Sequence, residues 1–234
     1  PYKESMLKSS ESTPNLSPIP KVIHQIWIGP NPPPMKWINS FQVDFIKLHP
    51  SWTYKLWTEK EIEHLDFVNR DLYDLEEDLA GKADILRYEI LYQFGGVYID
   101  ADSQWLNQKS LDPLLARVNA TGLFAGREDH RLIGVCVIGA TQNNPILKYT
   151  IDTLRNLYHQ FRVEEKWDSW VSTGPGLFTE CVKSFGITIF PIHYFYPLSW
   201  HYDQRAANLN DFPDSYMLHY GYSTNNFASD ELRE

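Results

Sequence analysis

Several kinds of residue and pattern are scarce in this chain, and each scarcity excludes something. Cysteine occurs twice in 234 residues, as Cys136 and Cys181. The two lie far apart, in apolar surroundings and without metal-ligand spacing, so a disulfide-rich scaffold and a cysteine-built metal centre are excluded and two buried free thiols are expected, a disulfide being unforced. No run approaches the roughly 20 apolar residues that a membrane-spanning helix needs. No signal-peptide core is visible either. Basic residues are the minority, 21 Lys and Arg against 30 Asp and Glu for a formal net charge of −9. A surface for nucleic acid needs a concentrated basic patch, and none is present, so no nucleic-acid partner is expected. No internal repeat suggests a solenoid.

Aromatic residues, by contrast, are plentiful: 8 Trp, 14 Tyr and 12 Phe make 15% of the chain. Most belong in a core, and exposed ones suit sugar rings and bases. The length fits one α/β domain with a substantial core. Residues 1–18 are rich in Ser, Pro, Lys and Glu without apolar periodicity and read as a disordered or loosely attached tail, with the folded domain over 19–234. Sequons at Asn15 and Asn119 matter only in a secretory lumen. The expected compartment is the cytoplasm if the chain is complete, and the Golgi lumen if an amino-terminal anchor has been removed.

The most informative stretch is KADILRYEILYQFGGVYIDAD, Lys82 to Asp102. Ala83, Leu86, Ile90 and Phe94 recur at helical spacing and predict a core stripe, with Asp84 and Arg87 three apart on a neighbouring face, the spacing of a surface ion pair. Gly95 predicts a left-handed helix cap, and Gly96 lets the chain turn into a strand. Val97 to Ile99 is that strand, followed by Asp100 and Asp102. If the extended backbone continues through Ala101, both acids face one space at a strand's carboxyl end, where open α/β sheets bind ligands. Two carboxylates held together need a cation, and a divalent metal with open positions also takes a diphosphate.

The remaining pattern alternates strands and helices. Strands are predicted at Lys21 to Ile28, Trp52 to Trp57, Leu123 to Gly126, Gly134 to Gly139 and Ile187 to Phe190. Helices are predicted at Met35 to Leu48, Glu59 to Leu65, Pro145 to Phe161, and from the STGPG segment (Ser172 to Gly176) through Lys183. This order implies a largely parallel sheet with helices on its faces.

With IPKVIHQIWIG near the amino end and HYGYS near the carboxyl end, the central block resembles the DXD-motif sugar-transferase family. That family includes Och1-like mannosyltransferases and capsular polysaccharide glycosyltransferases, and is distantly similar to the glucosylating clostridial toxins. The resemblance implies a nucleotide-sugar-binding GT-A fold and transfer of a hexosyl unit, with retention, from a UDP- or GDP-sugar to a glycan acceptor, with Mn²⁺ or Mg²⁺ as cofactor. It implies Asp102, His219 and Asp100 as metal ligands. Trp27, Asp84, Arg87, Tyr98, Asp100 and Ser223 would bind the donor, and Asp100, Asp102 and Arg87 would carry catalysis. Thr173 and Gly174 would face the acceptor. Thr224 stands where the family often has an aromatic residue, and Tyr222 or Phe227 could fill that place. No nucleophile is evident beneath the sugar, which favours a front-face route. Two other classes fit the same residues: a metal-dependent phosphoesterase using Asp84, Asp100, Asp102 and His219, and an inactive glycan-binding module.

Overall fold

Strand β1 (Val22–Ile26) pairs in parallel with β2 (Thr53–Trp57), Val22 beside Thr53 and Ile26 beside Trp57. The protein is described here from a computed structural model covering residues 17–163, 168–199 and 206–221. Nearly all of the expected tail lies outside those residues. The two strands are joined by one helical stretch, α1, made of Met35–Asn39, a π-helical Ser40–Phe45 and Ile46–Leu48. Its wide turn begins at Ser40, whose hydroxyl donates to the Trp37 carbonyl at 2.6 Å and accepts the Trp105 amide at 3.0 Å. A side chain inserted in the ladder in this way commonly loosens a helix. Helix α2 (Glu59–Glu63) opens on a Thr58–Glu61 capping box, and α3 (Arg70–Leu75), which the sequence pattern does not announce, follows.

Helix α4 (Leu79–Phe94) starts earlier than its apolar spacing suggests, with the Asp78 carboxylate capping the Ala80 amide. It is also not amphipathic in the expected sense. Every residue from Asp84 to Leu91 is buried, whereas Phe94, assigned to the core stripe, is 40% exposed. The helix is enclosed by the sheet on one side and by later helices on the other, so its charged residues must be paired internally rather than solvated. Gly95 (φ +63°) and Gly96 (φ +104°) then turn the chain into β3 (Gly96–Ile99). A Cβ at Gly96 would lie 2.8 Å from the Val22 carbonyl, which makes glycine obligatory there on steric as well as torsional grounds.

The rest of the chain supplies β4 (Ser103–Trp105), α5 (Asp112–Leu115), β5 (Leu123–Arg127), β6 (Ile133–Ala140), α6 (Pro145–Val163), α7 (Ser169–Ser172), α8 (Pro175–Val182), β7 (Thr188–Phe190), α9 (Ile192–Phe195) and β8 (Met217–His219). Six strands form one sheet in the order β2-β1-β3-β6-β5-β7, and β6 alone runs against its neighbours, so the sheet is mostly parallel as expected. Strands β4 and β8 form a separate antiparallel pair. Both faces of the main sheet are covered. Tyr98 and Ile138 join the core beneath α4, α6 and α8, while their neighbours Val97, Ile99 and Val137 join the core on the opposite face with Phe41, Phe45 and Trp52. Cys136 and Cys181 are buried free thiols.

His24, in the middle of β1, is a buried histidine with a structural task. One ring nitrogen lies 2.9 Å from the Gly95 carbonyl and the other accepts the Trp57 indole N–H at 3.1 Å, an arrangement that only the neutral ring satisfies. Burial pushes its pKa down to about 4. A depressed histidine contributes stability that is complete above its unfolded value near 6.5 and is lost as pH falls toward 4, for about 3 kcal/mol in all. Between pH 7.5 and pH 5.0 the unfolding free energy of the native chain should therefore fall by about 2 kcal/mol more than that of His24→Gln. Urea unfolding at the two pH values measures this, and equal falls would remove His24 as the cause.

Candidate functional site

The site is assembled at the carboxyl end of β3. The strand stops at Ile99, and Asp100, Ala101 and Asp102 form a turn closed by the Ser103 amide donating to the Asp100 carbonyl at 3.1 Å. Extended alternation is therefore not what brings the acids together. The turn does so, and β4 then leaves in register with β8, Ser103 opposite His219. The Tyr220 amide adds a bond to the Asp102 carbonyl at 2.9 Å. By this pairing His219, from far along the chain, comes within 3.3 Å of Asp102, Nδ1 to Oδ1.

One ligand atom each from Asp100, Asp102 and His219 lie within 4.8 Å of one another. Two carboxylate oxygens and an imidazole fit a divalent cation of the Mn²⁺ kind, since imidazole suits Mn²⁺ better than Mg²⁺. The local charge is consistent with a cation site. Burial would lower the His219 pKa, but Asp102 first, then Asp100 and Glu128, raise it to about 9. The three residues thus present an excess of negative charge to the cleft.

Behind the acids stands a buried charged network. The Arg87 guanidinium reaches Asp84 with Nη1 at 2.6 Å from Oδ1, and Asp100 with Nη2 at 2.9 Å from Oδ1. It lies 4.7 Å above the Tyr98 ring, and the Tyr98 hydroxyl donates to the same Asp100 oxygen at 2.7 Å. Asp100 Oδ1 is thus held by two donors, which leaves Oδ2 for a ligand in the cleft that Asp100 lines. The pair that spacing alone would place on a solvated helix face is buried, 4% and 8% exposed at the side chains. Burial raises the Asp84 pKa to about 7, opposed by Arg87 and by a hydrogen bond from Thr173.

A cleft of about 350 Å³ opens in front of this network. Of the residues expected to bind the donor, Trp27, Asp84, Arg87, Tyr98 and Asp100 line it. Trp27 follows β1 half-buried, its indole N–H bonded to the Asn31 carbonyl at 2.8 Å. Ser223, with Tyr222, Thr224 and Phe227, lies outside the described residues. Thr173 departs from expectation. It is completely buried, its hydroxyl donating to Asp84 at 2.8 Å and its carbonyl accepting from Tyr88 at 2.8 Å, so it braces α4 from behind. Ser169, Trp170 and Pro175 are what this segment offers to the cleft, rather than Thr173 or Gly174.

Glu128 also lines the cleft and belongs to no motif. It follows β5, at the start of a hairpin closed by its amide bonding to the Leu132 carbonyl at 3.1 Å. Burial raises its pKa, with His219 acting against that. A signal for it existed, in an acidic residue at the end of a β-prone run on the same sheet edge as Asp100, but strand order was needed to use it.

Comparison with known proteins agrees with this geometry. Residues 34–120 match the glycosyltransferase sugar-binding region containing the DXD motif. Inositol phosphoceramide mannosyltransferase 3 of Schizosaccharomyces pombe is 40% identical over 103 residues, 42% of this chain and 27% of that protein. Inositol phosphoceramide mannosyltransferase 1 of the same yeast is 31% identical over 180 residues, 69% of this chain and 51% of that protein. The structure of the PaToxG glycosyltransferase superposes with a TM-score of 0.55 at 21% identity, covering 79% of this chain and 76% of that one. The chain spans about a quarter to a half of the length of the first three curated relatives.

The fold is that of GT-A glycosyltransferase structures, and residues 34–120 within it match a DXD sugar-binding region. In sequence, the domain is similar to the inositol phosphoceramide mannosyltransferases.

Proposed function

We propose that this domain transfers a hexosyl unit from a nucleotide diphosphate sugar, UDP- or GDP-linked, to a hydroxyl of a glycan acceptor. The observation that carries the reading is the convergence of Asp100, Asp102 and His219 beside the buried Arg87 network in one cleft. Asp102, His219 and Oδ2 of Asp100 would hold Mn²⁺, which when bound stabilises the charge of a leaving diphosphate. Arg87 and Tyr98 orient Asp100, and Asp84 offers a carboxylate to sugar hydroxyls from the floor of the cleft. Trp27 at the rim offers an aromatic face to the base. The names of the yeast relatives support mannose as the first donor sugar to try and an inositol-bearing lipid as the first acceptor. We infer retention at the anomeric carbon by a front-face route, to be read from the anomeric configuration of the product by NMR.

Calorimetric titration with UDP and GDP, with and without Mn²⁺, tests the donor site. One nucleotide should bind at least a hundredfold more tightly with Mn²⁺ than with EDTA. Release of nucleoside monophosphate and sugar phosphate from the intact donor, in place of nucleoside diphosphate, would overturn the transfer reading and make the protein a phosphoesterase.

A further inference from the structure

We propose that Glu128 and Trp170 form the acceptor subsite, holding a ring polyol, a hexose or an inositol, with the carboxylate accepting from its hydroxyls and the indole against its ring face. The proposal rests on the glycosyl-transfer reading above. Strand order carries it. The donor residues Trp27, Tyr98 and Asp100 belong to β1 and β3 or follow directly on them, whereas Glu128 follows β5, across β6 from β3. The cleft therefore runs along the carboxyl-end edge of the sheet from Trp27, Tyr98 and Asp100 at β1 and β3, past β6, to Glu128 after β5, with Ser169 and Trp170 of α7 also lining it.

Charge decides what Glu128 can bind there. A carboxylate cannot serve a diphosphate, and Glu128 is not among the three residues whose ligand atoms converge, Asp100, Asp102 and His219. What remains for it in a sugar-transfer cleft is a hydroxyl donor. Its position is rigid, because the hairpin is tied by the Asp129 carboxylate accepting the Arg131 and Leu132 amides at 2.6 and 2.7 Å. The Ile133 amide is in turn held by the Thr179 hydroxyl at 2.9 Å. Trp170 is the polar neighbour of Glu128 and lines the same cleft while 49% exposed. An aromatic face left to solvent beside a carboxylate is the pairing that binds a ring with axial C–H groups on one face and hydroxyls at its edge.

The test is steady-state transfer from the donor identified by calorimetry to two probes, methyl α-D-mannopyranoside and myo-inositol, which separate the two kinds of ring. Glu128→Gln and Trp170→Ala should each raise the KM for whichever probe is used at least tenfold, with the donor KM and Mn²⁺-dependent nucleotide affinity within twofold of the native chain. Urea unfolding midpoints matching the native chain exclude misfolding as the cause. Equal losses in donor and acceptor KM would assign both residues to the donor, an unmoved acceptor KM would assign them to neither, and transfer to neither probe would remove the ring-polyol subsite. Failure of the reading beneath shows itself separately, as an absence of Mn²⁺-dependent nucleotide binding by the native chain.

Discussion

Asp102→Ala should abolish Mn²⁺-dependent nucleotide binding, weakening it at least a hundredfold and reducing transfer to the rate without enzyme. Asp102 sits where the β4–β8 pairing brings His219 within 3.3 Å, so it is the acid that joins the two halves of the metal set. Its removal leaves one carboxylate and one imidazole, too few oxygen ligands for a hard cation. The Mn²⁺-dependent gain in stability separates this effect from misfolding. Without metal, Asp102 is the main partner of His219, whose pKa burial would lower and this carboxylate raises to about 9, so its loss should also lower the melting temperature in EDTA at neutral pH. Saturating Mn²⁺ at about a hundred times its Kd contributes about 2.7 kcal/mol to the native state, a rise of roughly 5–10 °C for a chain of this size. The variant should lose that rise entirely. A variant that melts low in EDTA yet still gains from Mn²⁺ would place the metal elsewhere.

Arg87→Ala should be the most destabilising single change in the cleft, by about 3–5 kcal/mol, because it leaves the buried Asp84 carboxylate without a cation. The loss has a definite pH dependence. Asp84 already has its pKa raised to about 7 by burial, held down by Arg87 among others, and losing Arg87 moves it higher. A raised carboxylate costs stability as pH climbs from its unfolded value toward its folded one, so in the variant the cost keeps growing where the native chain has levelled off. The gap between variant and native chain in urea unfolding should thus be wider at pH 8 than at pH 6. Asp84→Asn in the same chain should recover much of the stability and none of the activity, since Asp100 would still lack its guanidinium donor. Arg87→Lys should also fail, because one ammonium cannot reproduce a fork that reaches two carboxylates at once. Equal unfolding curves for native chain and Arg87→Ala would mean that the network is not what holds α4 against β3.

The local pattern of the central block was enough to locate the site, for reasons that lie within a few residues of chain. Paired glycines follow a helix because only they take the torsions and the close approach to Val22, and a short β-prone run then ends in acids. The parallel strand–helix alternation was legible for the same local reason, and β6 was the strand whose direction no local signal marked. Helix α3 and the short strand β4 escaped notice because three to six residues carry too little periodicity. The Asp84–Arg87 pair looked like a solvated one because helical spacing says which residues share a face, not what covers that face.

What the sequence determined by itself is therefore the chemistry available: two acids at the end of a β-prone run, an arginine at helical distance from an aspartate, and an alternating order of strands and helices. Tertiary structure decided how that chemistry is used. Pairing of β4 with β8 carries His219 across half of the chain to Asp102, enclosure of α4 turns a surface ion pair into a buried brace, strand order brings Glu128 into the cleft, and the bond to Asp84 on α4 turns Thr173 away from it. Each of these depends on contacts between residues far apart in sequence, and such contacts are set by packing and register rather than by any local run of residues.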